Sequence, residues 1–143
     1  MKDSSPETGS ALIEILLLGL LLLGPLLWGL TVLAELHSAA LAGAAAAREA
    51  GFDATRSADL AEAERRIDEA VAIAFSDNGL DPTRGEVEWT AVGGLERGAR
   101  VEVRVEYAVP IFRAPFIGSI SGPAISVSAS HAARVPPYGS RER

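Results

Sequence analysis

Residues Glu7 to Leu30 read ETGSALIEILLLGLLLLGPLLWGL, and this stretch decides what kind of molecule the chain is. From Ile15 to Ala34, twenty consecutive residues carry no charge, and most are Leu. As an α-helix rising ~1.5 Å per residue, such a run is roughly 30 Å long, the thickness of a bilayer's hydrocarbon core. A transmembrane helix is predicted. Glu14 stands at the threshold of that run, where an isolated carboxylate pays a desolvation cost. Two readings follow: Glu14 marks the interfacial first turn, where negative charge suits the helix dipole, or it meets a cation. Pro25, inside the span, removes a backbone donor and clashes with the carbonyl one turn earlier. A kink or a locally unwound turn between Leu21 and Pro25 is expected.

A cleaved secretory signal peptide is the competing reading. Its apolar core would be only about 7 to 15 residues long and would follow a basic start, whereas here Lys2 and the terminal amine are offset by Asp3 and Glu7. ALAG (Ala40 to Gly43) nevertheless has the small-residue form of a cleavage site and would leave a chain beginning at Gly43. If the span is retained, the short leader is expected on the cytoplasmic side, with faint support from Lys2, and the long remainder outside.

Working outward, Leu36 to Ala50 is rich in Ala and Leu, the strongest helix formers, so the helix is predicted to continue until Gly51 stops it. Ala39, Gly43 and Ala47 recur at one-turn spacing, a pattern that lets a neighbouring helix approach closely. Ser57 to Phe75 then places Leu60, Ala63, Ile67, Val71 and Ala74 at helical spacing among charged residues, which predicts an amphipathic surface helix. DNGLDPTRG (Asp77 to Gly85) closes it with turn chemistry.

Strand patterning follows. Val87, Trp89 and Ala91 alternate with polar residues, as do Val101, Val103, Val105 and Tyr107; GGLERG (Gly93 to Gly98) joins them into a hairpin. Ile125, Val127, Ala129, His131 and Ala133 make a third alternating strand. Between strands two and three, Ile111, Phe112, Phe116 and Ile117 either cover the open end of the core or present an apolar patch to a partner or to lipid. The predicted architecture is α+β: a long transmembrane helix continuing into an extracytoplasmic domain with an amphipathic helix and a small antiparallel sheet of about three strands.

Charge and composition narrow the function. The net charge is −6, and Glu49 to Asp81 holds nine acids against Arg56, Arg65 and Arg66; an acidic chain with one Lys is a poor nucleic-acid binder. Without cysteine there is no disulfide, thiolate nucleophile or Cys-based metal site. His37 and His131 lie on different elements with no nucleophile motif nearby. His37 reads as an interfacial polar residue, and His131 as a satisfied or edge histidine rather than a metal ligand. No phosphate loop or dinucleotide fingerprint is present, so the chain is expected to be no enzyme and to bind no metal and no cofactor.

The order Gly9, Ser10-Ala11-Leu12-Ile13, Glu14, then an apolar span, resembles the class III signal of type IV pilins and pseudopilins. With GSALIE at its start, the Ala-rich continuation, VEVRVEYAVPIFRAPFIG (Val101 to Gly118) and ISVSASHAARV (Ile125 to Val135), the chain is similar to TadE-like minor pilins of Tad (Flp) pilus systems. The leader is less basic than is usual in that family, and Gly51 to Gly98 matches nothing specific in it.

The resemblance implies cleavage between Gly9 and Ser10 by a prepilin peptidase, with Glu14 as the fifth residue of the mature chain. It implies a pilin-like head and a place in the cytoplasmic (inner) membrane or a pilus. The implied partners are the lipid bilayer, the peptidase, other pilin and pseudopilin subunits and the pilus assembly platform. Leader 1–9, helix 10–50, head 51–135 and polar tail 136–143 are the expected divisions. A single-span anchor carrying an extracytoplasmic binding or signalling domain, uncut, is the alternative.

Overall fold

The computed structural model describes residues 7–111 and 122–137. The chain divides into two units, Met1–Ala34 and Glu35–Arg143. Helix α1, Glu7–Arg56, contributes to both.

In the first unit α1 presents Leu side chains outward all around, Leu12 through Leu33 being more than half exposed at nearly every turn. The helix runs through Leu21 to Pro25 without interruption, so the unwound turn expected there is absent. Proline removes one hydrogen bond, and Leu-rich turns on either side carry the helix past it.

The second unit is a two-layer α+β domain. Helix α2 spans Leu60–Asp77, a 3₁₀ turn covers Pro82–Arg84, and three antiparallel strands follow in the order β1 (Gly85–Val92), β2 (Arg100–Pro110), β3 (Ala124–Arg134). The predicted alternation is the observed one. Val101, Val103, Val105, Tyr107 and Val109 of the central strand are buried on one face, flanked by half-buried Val87, Trp89 and Ala91 of β1 and by Val127, Ala129 and His131 of β3. Ile125, at the start of β3, is the exception and stays exposed. Glycines at positive φ (Gly93, Gly94 and Gly98) turn the β1–β2 hairpin. Ile111 donates its N–H to the Pro123 carbonyl, extending the β2–β3 ladder; Phe112, Phe116 and Ile117 of the apolar loop lie outside the described residues.

The core joins the alanines of α1 (Ala39, Ala42, Ala46, Ala47, Ala50, Ala54) to Ala63, Ile67, Val71 and Phe75 of α2 and to the inner face of β2. Phe75 packs on Tyr107 with ring centroids 4.8 Å apart, and the Tyr107 hydroxyl accepts from the Asp81 N–H at 3.2 Å. The buried stripe of α2 is rotated slightly from the expected one, with Leu60 exposed and Phe75 in its place.

Gly51 does not stop α1, which ends five residues later at Arg56. A Cβ at Gly51 would lie 3.1 Å from His131 Cδ2 and 3.6 Å from Ala133 Cβ, so this glycine lets the helix approach β3. Termination belongs to Thr55 and Ser57, whose hydroxyls donate to the carbonyls of Phe52 and Asp53. Asp59 then caps α2 by accepting from the Glu62 N–H at 2.8 Å, while Glu62 accepts from the Ala58 N–H and from Arg66.

Candidate functional site

Gly9, Ser10 and Glu14 all lie on the first turns of α1. The expected cleavage position is therefore helical among the described residues. Ser10 and Glu14 are four residues apart and share one helix face. Glu14 is exposed, surrounded along the helix by exposed Leu12, Ile13, Ile15 and Leu16. Among the described residues no ion pair or side-chain hydrogen bond reaches it. A carboxylate so placed is open to a cation brought to it, such as the amine that cutting after Gly9 would free at Ser10 of a neighbouring subunit.

The helix that carries this group is long and apolar enough to cross a membrane. Within it Thr31 returns its hydroxyl to the Trp28 carbonyl at 2.7 Å, satisfying a polar group that hydrocarbon would otherwise strand. Pro25 lies in the same exposed Leu-rich stretch, eleven residues beyond Glu14.

The row Ala39, Gly43, Ala47 is not available to a neighbouring helix. Ala39 and Ala47 are core residues, and a Cβ at Gly43 would touch Ala129 of β3 at 3.6 Å. The small residues let α1 settle on the chain's own sheet. Spacing alone could not distinguish the two uses, since both need the same absence of bulk.

His131 is half-buried on the edge strand, its ring 5.9 Å from Phe52 at a tilt of 42°, and the Arg48 guanidinium lies over the Phe52 ring, 5.8 Å from its centroid. His37 is exposed on α1. Among the described residues no group of three or more His, Asp or Glu is arranged to hold a metal ion. The acidic run of α2 is largely solvated: Arg65 meets Glu69 at 3.7 Å with both side chains more than half exposed. Glu62 is the exception, its carboxyl held below the ordinary carboxylate range first by the Ala58 N–H and then by Arg66.

Sequence reasoning missed the outer face of the sheet. Its charge pairs depend on the β1–β2–β3 register, which alternation within single strands does not reveal. No protein-family model, curated protein or solved structure matches the chain.

Proposed function

We propose that this chain is a TadE-like minor pilin: a single-span protein of the cytoplasmic membrane, leader inside, cut after Gly9 by a prepilin peptidase and taken into or priming a Tad (Flp) pilus. The observation that carries the reading is Glu14, an exposed acid on an otherwise apolar helix, five residues past a glycine and without a partner of its own among the described residues. Cutting at Gly9 would supply the missing cation as the Ser10 amine, and pairing would offset the desolvation that an isolated carboxylate suffers. The protein would do no chemistry itself. The peptidase, other pilins and the assembly platform would be its partners, and the second unit would lie outside the cytoplasm.

The uncut anchor carrying a binding or signalling domain remains the second reading. It is favoured by the use of the small-residue row within the chain, which leaves that row nothing to offer another helix. A secreted domain beginning at Gly43 fits poorly, because removal of the preceding residues would strip Ala39 and Ala42 from the core. The amino-terminal residue of the protein recovered from its native membrane separates the three: Ser10 for the pilin, Met1 for the uncut anchor, Gly43 for the secreted domain. Recovery of Met1 alone, from cells with an active peptidase, would end the pilin assignment.

A further inference from the structure

The sheet face turned away from both helices bears two like-charge pairs of opposite sign. Register sets Arg100 opposite Arg134 at the hairpin end and Glu86 opposite Glu106 at the other. Like charges directly opposite across strands destabilise a sheet, so neither pair helps a face that meets only water.

Along β2 the outward charged residues are Arg100, Glu102, Arg104 and Glu106, with uncharged Ala108 and Pro110 beyond them. Read backwards, every sign is exchanged. A second copy laid on this face with its strands reversed brings Arg100 onto Glu106 and Glu102 onto Arg104, and two-fold symmetry repeats each contact. Laid with strands parallel, Arg100 would meet Arg100, so charge selects the reversed arrangement.

The flanking columns do not oppose it. On β3 the outward Ser128, Ser130 and Ala132 are small, uncharged and exposed, and on β1 Thr90 and the 74% exposed Val92 leave the hairpin end without a carboxylate. The charges are also free to exchange partners. Arg100 reaches Glu102 only at 3.9 Å with both side chains more than half exposed, and Arg104 stands among Glu86, Glu88 and Glu106.

We propose that the outer sheet face is a self-docking surface that pairs two copies of this chain, strands antiparallel, through reciprocal Arg100–Glu106 and Glu102–Arg104 contacts. The proposal is independent of the pilin reading. Three strands ~4.8 Å apart and some eight residues long offer roughly 400 Å² per copy, about half of what a stable interface buries, so the association is weak and salt-sensitive.

The absence of native cysteine makes the test clean. The full chain carrying Ser130→Cys, in detergent, is treated with a bismaleimide of ~10 Å span, the separation of packed sheets. Cross-linked dimer is expected at low salt and should fall severalfold as salt rises. Arg100→Glu with Arg134→Glu, or Glu86→Arg with Glu106→Arg, should each lose about tenfold in cross-linking, because like charges then face each other. An equimolar mixture of the two variants should recover it, since each supplies the sign the other lacks. Milder Arg100→Gln with Arg134→Gln, checked by thermal melting against the parent, should also lose the dimer and guards against a folding defect. A cysteine on α1, Ala44→Cys, should not follow these changes. A parent that gives no dimer, variants that cross-link as the parent does, or a mixture that fails to recover would each overturn the proposal.

Discussion

At Gly85 the backbone has room for a hydrogen and nothing larger, because a Cβ there would lie 2.5 Å from Phe75 Cε2. Phe75 cannot retreat, being fully buried against Tyr107. Gly85→Ala is expected to lower stability by about 1–3 kcal/mol, the usual result of overpacking a filled core, measurable as a shift of the thermal midpoint of the full chain in detergent. Glu62 gives a second residue-scale expectation, this one in pH. Its folded-state pKa is depressed by the Ala58 N–H and Arg66, so the stability it contributes is present above the ordinary carboxylate range and is lost as pH falls through the depressed value. The stability gap between the parent and Glu62→Gln should therefore be open at neutral pH and close on acidification. A gap that stays constant with pH would refute the ionic origin. Both sites escaped the sequence: Gly85 read only as turn chemistry and Glu62 only as one of nine acids, because each role depends on which atoms the folded backbone brings against it.

Among the elements, α1 shows how far periodicity carries and where it stops. Its apolar run, the alternation of β2 and the amphipathic stripe of α2 were legible because side-chain period and burial are tied by local geometry. Where α1 ends was not legible, since Gly51 weakens an isolated helix while here it serves a close approach to His131. The row Ala39, Gly43, Ala47 was equally ambiguous, and only the fold assigned it to the chain's own core. Two substitutions measure that assignment. Ala47→Leu, at a fully covered position, should cost about 1–3 kcal/mol, whereas Ala44→Leu, one turn-face away and exposed, should change stability by less than about 0.5 kcal/mol. If the two behaved alike in thermal melts, the burial of this face of α1 would be misassigned. Of the candidate site, Gly9, Ser10 and Glu14 were visible as a pattern; the helical state of the cleavage position was not, because a glycine inside such a stretch weakens the helix that the fold nevertheless carries through it.

On the scale of the whole molecule, the pilin reading predicts that the two ends of the Gly9–Glu14 segment fail in different ways. In the native host Gly9→Leu should block processing, leaving the leader attached. Glu14→Gln should be cut normally yet fail to co-purify with pilus fibres. Normal processing of the first would remove the peptidase assignment, and normal fibre association of the second would sink the charge pairing. The alanine wall of α1 has a further, kinetic meaning. Around Gly43 and Gly51 its neighbours on β3, Ala129, His131 and Ala133, come about eighty residues later, so that stretch cannot close until the last strand has been made. For that interval the wall waits uncovered, and alanine suits the wait: each side chain exposes little apolar area, so the unfinished domain offers chaperones, lipid or other nascent chains far less to seize than a leucine face would.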